Sequence, residues 1–174
     1  MTEQILARKV SLKAARVVAG MLLLVLFTQI KIPFRPVPVT LQTLAVLLIG
    51  AFYEPGEAAA TVAGYLLAGC AGLPLFSHGG GWAQLMGPTA GYLISFPLMA
   101  LLVSHQLTTS QHRSFMFTFS VMIVASLLSL TLGTAWLSVS LGWTRAFAVG
   151  FGPFVVGDLL KSAIAATLFW RLQN

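Results

Sequence analysis

The chain has 174 residues, of which 57% are hydrophobic and only 8% are charged. Soluble domains carry about 25% charged residues, so this composition excludes a soluble domain and predicts an integral membrane protein. The formal net charge of +6 does not indicate nucleic-acid binding, because the basic residues form no patch with interleaved aromatic residues. The single cysteine, Cys70, cannot form an internal disulfide, and no Cys/His cluster has the spacing of a metal site.

The apolar runs predict an all-α membrane protein with six transmembrane helices in a single domain, residues 1–174. A helix needs about 20 residues to cross a bilayer, with a range of about 17–25, and some of the runs are short. The predicted spans are residues 12–30, 39–53, 57–73, 87–104, 114–140 and 144–170.

The basic residues predict how the chain is oriented. Arg8, Lys9, Lys13 and Arg16 lie just before or at the start of the first apolar run, which is the pattern of a cytoplasmic N-terminus. No small-residue cleavage pattern follows that run, so we interpret it as a retained span rather than a secretory signal. Six spans then place the C-terminus in the cytoplasm as well.

Two outer loops have unusual compositions. Residues 31–38 (KIPFRPVP) contain three prolines and predict a stiff extended segment, which includes Arg35. Residues 74–86 contain three consecutive glycines together with His78 and Trp82. Glycine-rich backbone near a membrane is tolerated where it is buried in protein or lines a cavity. The two loops are therefore predicted either to cover an outward-facing pocket together or to be ordinary connections.

Asp158 and Lys161 lie inside an otherwise uncharged apolar stretch, residues 148–170. A charged residue at the centre of a transmembrane helix costs roughly 2.5–3.5 kcal/mol on insertion scales, so it usually faces protein or a cavity. At this spacing the two side chains share one helix face. They indicate either a self-neutralising structural pair or a polar-ligand site within the membrane. Asp158 would accept from urea-like or amide-like N–H groups, whereas Lys161 or Arg35 would bind a carboxylate.

Other polar residues within the spans are candidates for the same pocket. Thr40, Gln42 and Thr43 open the second span, and Tyr92 lies near the start of the fourth. No nucleophile–base arrangement, phosphate loop or dinucleotide fingerprint occurs, so the sequence does not predict an enzyme or a bound cofactor. A binding pocket needs only a few convergent polar groups in an apolar cavity, which fits this set of residues best.

Ala15 and Ala19 form a small-xxx-small patch near the cytoplasmic end of the first span. Such patches allow close helix contact, either within the chain or with another membrane subunit.

Several motifs in this order resemble the BioY family, the biotin-binding S components of energy-coupling factor (ECF) transporters. The blocks are PVPVTLQTLAV at residues 36–46, LPLFSHGGG at 73–81, GPTAGYL at 87–93 and GDLLK at 157–161. With the chain length and the six predicted spans, the resemblance covers most of the chain from about residue 12 onward.

The resemblance implies capture of biotin from outside, as a transported ligand and not a cofactor, in a pocket covered by the loop after the first span. It implies a multi-pass protein of a prokaryotic plasma (inner) membrane, partnered by a transmembrane T component and two ABC-type ATPases. By motif, Asp158 and Lys161 match the polar pair of the last span, Gln42 and Tyr92 fall in signature blocks, and Ala15 and Ala19 match the docking patch for the T component.

His78 marks a departure, since family members often have Asn near this position. The alternatives to a biotin S component are an S component for a different vitamin and a membrane scaffold subunit with a buried structural ion pair.

Overall fold

The computed structural model describes residues 2–33, 35–77, 79–110 and 114–173. The described residues form a helical bundle with one small β-hairpin. The elements are α1 (Thr2–Gln29), β1 (Lys31–Ile32), β2 (Val39–Thr40), α2 (Gln42–Phe52), α3 (Pro55–Cys70), α4 (Trp82–Met86), α5 (Ala90–Thr109), α6 (Phe115–Leu141), α7 (Trp143–Ala146), a π-helical segment (Phe147–Phe151) and α8 (Gly152–Gln173).

Four segments of the described chain are long and apolar enough to cross a membrane. They are Val10–Gln29, Ala90–Thr109, Phe115–Leu141 and Trp143–Gln173. Helix α2 is apolar but has 11 residues, and α3 has 16 residues. At a rise of about 1.5 Å per residue, both are shorter than a 30 Å hydrocarbon core. The fold is thus helical and membrane-type, and the number of spans does not follow from helix length alone.

Helix α5 lies at the centre of the bundle, where it packs against α6, α2 and α3. Glycines allow two of these approaches. A Cβ atom on Gly91 would lie 2.8 Å from the Leu132 carbonyl oxygen of α6. A Cβ atom on Gly50 of α2 would lie 2.9 Å from the Ala100 carbonyl oxygen of α5. The core therefore depends on close backbone contact around α5.

Helix α1 lies at the edge of the bundle against α2 and α3. Its outward side chains include Val18, Leu22 and Leu26, all more than half exposed. Its basic end is tied to the α2–α3 turn: Lys13 Nζ lies 2.8 Å from Glu54 Oε2, and Arg16 Nε lies 3.2 Å from Glu57 Oε1.

The prediction of a fully extended proline-rich segment is wrong: the chain bends at residues 35–37 and reverses between two short paired strands. The second helix begins later than residue 39. Strands β1 and β2 pair antiparallel, with Lys31 opposite Thr40 and Ile32 opposite Val39. The Leu41 N–H donates to the Ile30 carbonyl oxygen at 3.1 Å. Because these backbone groups pair across the hairpin, they are not available for a helix, and α2 starts at Gln42.

Candidate ligand-binding site

A cavity of about 50 Å³ lies among α2, α5, α6, α8 and the two connecting segments that follow α1 and α3. Its lining residues are Val37, Pro38, Thr40, Gln42, Thr43, Phe76, Ser77, Gln84, Thr89, Tyr92, Leu93, Phe96, Ser129, Leu130, Phe154, Asp158 and Lys161. The lining is aromatic and aliphatic on several sides, with the charged and amide groups grouped on α2 and α8. This is the composition of a small-molecule site.

The charged residues of α8 form a closed hydrogen-bonded ring with Thr43 of α2. Lys161 Nζ donates to Asp158 Oδ1 and to Thr43 Oγ1, both at 2.9 Å. Thr43 Oγ1 donates to Asp158 Oδ1 at 3.2 Å. Both charged side chains are more than nine-tenths buried. Each charge is therefore compensated by its neighbour, as a buried pair requires.

Helix α8 presents these charges together with an aromatic residue on one face. Phe154, Asp158 and Lys161 follow one another at intervals of four and three residues, which is the repeat of a single helix face. All three are buried and line the cavity.

The first turn of α2 supplies uncharged polar groups. The Gln42 backbone N–H donates to Thr40 Oγ1 at 3.2 Å, so the hydroxyl serves an N–H that α2 cannot pair internally. The Gln42 side-chain Nε2 donates to the Tyr65 hydroxyl at 3.0 Å. Gln42 is thereby held between the cavity and α3.

Tyr92 of α5 forms another wall. Its hydroxyl donates to the Gly150 carbonyl oxygen at 2.7 Å, and its ring stacks on Phe154 with 6.0 Å between the ring centres. Gly150 lies in the π-helical segment, where the backbone departs from α-helical pairing. Such segments occur often at functional sites.

The two unusual loops meet at the cavity. Val37 and Pro38 from the first and Phe76 and Ser77 from the second line it. Lys31 Nζ donates to the Ser77 carbonyl oxygen, which joins the loops directly. The expectation that both loops lie on one side of the pocket agrees with this contact.

Six of the predicted site residues line the cavity: Thr40, Gln42, Thr43, Tyr92, Asp158 and Lys161. Arg35 and Trp82 are exposed and are not among its lining residues. His78 lies outside the described residues. Ala15 and Ala19 are exposed on α1, away from the lining residues.

Sequence reasoning did not assign Ser77, Gln84 and Ser129 to the pocket, although they line it. Thr89, which opens the fourth predicted span in the same block as Tyr92 and is a sequence candidate for the pocket, also lines it. Ser129 lies in the long apolar helix α6, where nothing in the sequence distinguishes it from Ser126 or Ser120.

Among the residues that the structure describes, no group of three or more His, Cys, Asp or Glu side chains is placed to hold a metal ion. What the described lining offers chemically is a carboxylate acceptor, an ammonium donor and neutral amides and hydroxyls beside aromatic rings. Such groups bind and orient a ligand.

The family model for the BioY family matches residues 1–174. The chain belongs to the BioY family. The biotin transporter BioY2 of Lactococcus lactis subsp. cremoris (strain MG1363) is 38% identical over 153 residues, covering 86% of this chain and 83% of that protein. The biotin transporter BioY of Thermotoga maritima is 37% identical over 154 residues, covering 87% and 90%.

The BioY fold is also found by structural comparison. A crystal structure of the S-component for biotin from an ECF-type ABC transporter superposes with a TM-score of 0.81 at 24% identity, covering 96% of this chain and 93% of that one. All four sequence blocks of this BioY chain contribute to the cavity, through Thr43, Ser77, Tyr92 and Asp158 among others.

Proposed function

We propose that this BioY chain is the high-affinity biotin-binding membrane subunit, the S component, of an ECF-type ABC importer and mediates biotin uptake. The observation that carries the proposal is the buried Asp158–Lys161 pair, which lines a cavity instead of being sealed within the core. The names of the relatives support it, since they are biotin transporters.

The geometry of the pair suits one end of biotin, its ureido ring, which carries two N–H donors beside a carbonyl acceptor. Both hydrogen bonds to Asp158 end on Oδ1, which leaves Oδ2 for a ligand N–H. Lys161 Nζ has three N–H groups and uses two of them within the ring, so the third is available for the ligand carbonyl. Because Lys161 Nζ lies 2.9 Å from Oδ1 of the same carboxylate, the free Oδ2 acceptor and the third N–H are close neighbours and match adjacent N–H and C=O groups of one ligand. Asp158 and Lys161 thus serve the same end of the molecule, and other groups hold the carboxylate.

The proposal includes a six-span arrangement in the plasma membrane with the cavity opening outward and both termini in the cytoplasm. Ala15 and Ala19 then form an exposed patch near the cytoplasmic end of the first span, Val10–Gln29. This patch would dock the transmembrane T component, which together with two ABC-type ATPases supplies the energy. Arg35, Trp82 and His78 belong to the cover loops in this proposal and would contact the ligand when the cover closes on it.

The test is thermal unfolding of the detergent-purified protein with and without biotin, with other vitamins as controls. A ligand present at about 100 times its dissociation constant adds about 2.7 kcal/mol to the stability of the folded state. We expect a shift with biotin alone, and its loss in Asp158→Asn and Lys161→Met. Ser162→Ala is the matched control, because Ser162 is buried on the same helix and bonds Ser126 instead of facing this cavity.

A shift with a different vitamin would keep the transport subunit and replace its ligand. No shift with any vitamin, in protein shown to be folded, would support the scaffold alternative with a structural ion pair. Normal biotin binding by both charge variants would remove Asp158 and Lys161 from the site.

A further inference from the structure

The Tyr65 hydroxyl is a fully buried junction behind the cavity wall. Tyr65 of α3 has no exposed surface, and its oxygen lies 2.9 Å from the Leu75 carbonyl oxygen, 3.0 Å from Gln42 Nε2 and 3.1 Å from Thr28 Oγ1. These partners come from three other parts of the chain: the connection after α3, the first turn of α2 and the last turn of α1. Tyr65 does not itself line the cavity, whereas Gln42 does.

Counting protons fixes the direction of these bonds. A hydroxyl has one proton to give and two lone pairs with which to accept. Thr28 gives its proton to the Leu24 carbonyl oxygen at 2.6 Å. The Leu75 carbonyl oxygen can only accept, and it takes the Tyr65 proton. With that proton used, the Tyr65 oxygen accepts from Gln42 Nε2.

The side-chain amide of Gln42 must consequently turn its N–H toward Tyr65. An amide has a donor end and an acceptor end, so this orientation leaves Oε1 as the group that Gln42 can offer to a ligand. Were the amide reversed, the Tyr65 proton would have to go to Oε1, and the Leu75 carbonyl oxygen would lose its donor at the cost of an unsatisfied polar group.

We propose that Tyr65 is a positioning residue that fixes the Gln42 amide so that Oε1 accepts a hydrogen bond from a ligand N–H. This inference rests on the proposed biotin site. It supplies a second acceptor beside Asp158, and two acceptors with one Lys161 donor match the two N–H groups and one carbonyl of a ureido ring. The site would then discriminate against ligands that lack a second N–H at this end.

The Tyr65 ring acts on the same wall by packing. It meets the Phe76 ring edge-to-face, with 5.5 Å between centres, and Phe76 lines the cavity. Phe76 also lies over Gly69, where an added Cβ atom would be 2.2 Å from the ring. A Tyr65→Phe change retains this packing and removes only the hydroxyl, so it isolates the hydrogen-bonding role.

The experiment measures biotin affinity by isothermal titration calorimetry in Tyr65→Phe and Tyr53→Phe. Tyr53 is the matched control, because its hydroxyl also bonds α1, donating to the Arg16 carbonyl oxygen at 2.7 Å. Tyr53 lies at the opposite end of α2 from Gln42 and is not among the residues that line the cavity. We expect Tyr65→Phe to bind biotin roughly 3- to 10-fold more weakly, the size of one hydrogen bond, and Tyr53→Phe to bind as the unmodified protein does.

A double-mutant cycle with Gln42→Leu separates positioning from general packing. If Tyr65 acts through Gln42, adding Tyr65→Phe to Gln42→Leu changes the affinity no further. An equal loss in both backgrounds, or no loss in Tyr65→Phe alone, would overturn the inference. Absence of biotin binding by the unmodified protein would instead reject the proposed function.

Gln42→Glu gives an independent answer should Tyr65→Phe fail to fold. The carboxylate has nearly the same volume and presents an acceptor oxygen to the ligand whichever way the group turns. The inference predicts that Gln42→Glu binds biotin more tightly than Gln42→Leu, which has no acceptor, and equal losses in the two variants would contradict it.

Discussion

At the level of single residues, the charged pair of α8 depends on an uncharged neighbour from α2. Removing two charges from water costs several kcal/mol per ion, and their mutual attraction offsets this only when further hydrogen bonds complete the pair. Thr43 provides them, since its hydroxyl accepts from Lys161 and donates to Asp158. A threonine at the first turn of an apolar helix thus sets how the two charges are arranged.

Thr43→Val tests this arrangement with almost no change in shape. We expect biotin affinity to fall by about 10-fold or more, because hydrogen bonds to charged groups contribute about 1.5–3 kcal/mol each. Calorimetric titration measures the change. Thr131→Val is the control, because the Thr131 hydroxyl is exposed and bonds only its own helix, at the Leu127 carbonyl oxygen. Equal affinities of Thr43→Val and Thr131→Val would show that the pair does not need the hydroxyl.

Among the predicted site residues that line the cavity, three stand out because their position conflicts with their surroundings in the sequence. Asp158 and Lys161 interrupt an apolar run, and Gln42 opens one. Ser129 could not be found in this way, because a serine can satisfy its hydroxyl locally in any helix, and only the packing of α6 shows that this one lines the cavity. The loop residues Arg35 and Trp82 depend on loop conformation, which the sequence does not determine.

At the level of elements, the cavity wall formed by α5 depends on a glycine of α6. Tyr92 lies flat against Gly133, where an added Cβ atom would be 2.2 Å from the ring. The ring cannot retreat easily, because its hydroxyl bonds Gly150 and its other side contacts Phe154.

Gly133→Ala should therefore displace Tyr92 and weaken the protein. We expect a loss of about 1–3 kcal/mol in stability, typical of overpacking, together with weaker biotin binding. Gly157→Ala is the control: Gly157 precedes Asp158 on α8, and a Cβ atom there meets nothing within 4 Å. Since alanine favours helix by up to about 1 kcal/mol, that variant should unfold at the same or a higher temperature. Thermal unfolding of both variants decides the point, and an unaffected Gly133→Ala would contradict the packing argument.

The tether between α1 and the α2–α3 turn gives a small pH dependence. The neighbouring Lys13 holds the pKa of Glu54 below its ordinary value. A carboxylate whose pKa is lowered on folding stabilises the protein above the pKa of the unfolded chain, and loses this effect as the pH falls through its folded pKa. Both side chains are well exposed, so the effect is small.

Glu54→Gln should lower the unfolding temperature slightly at pH 7, and this difference should shrink as the pH falls through the lowered, folded-state pKa of Glu54. Melting curves of both proteins across this range measure the difference. A difference that grew toward low pH would have the wrong sign for this ion pair.

The order of elements was largely predictable, whereas the positions of their ends were not. The long helices α5, α6 and α8 follow from apolar length. The start of α2 and the helix α4 do not, because hairpin pairing at Thr40 and packing of the glycine-rich loop decide them.

At the level of the whole molecule, the charged groups are separated by position along the predicted membrane axis. Ion pairs join Lys13 to Glu54 and Arg16 to Glu57 near the start of the apolar span of α1, Val10–Gln29. The loop residue Lys31 lies beyond the other end of this span, against Ser77. This arrangement suits a bundle whose two faces contact different aqueous compartments.

Cysteine labelling in intact cells tests the six-span orientation. The single native cysteine, Cys70, is buried, so introduced thiols report on their own positions. A membrane-impermeant maleimide should label Thr144→Cys from outside, and Leu172→Cys only after permeabilisation. Both positions are exposed in the fold. Labelling of Leu172→Cys in intact cells would reject a cytoplasmic C-terminus.

The π-helical segment Phe147–Phe151 determines the angular phase of everything that follows it. Each residue of an α-helix turns the chain by about 100°, and a π turn takes in one residue more than an α turn. With a regular α turn and the same number of residues, the face bearing Asp158 and Lys161 would be rotated by about a quarter of a circle, away from its present contact with Thr43 of α2. The direction in which Asp158 and Lys161 point is therefore set by the extra residue in the preceding π turn as much as by their own chemistry.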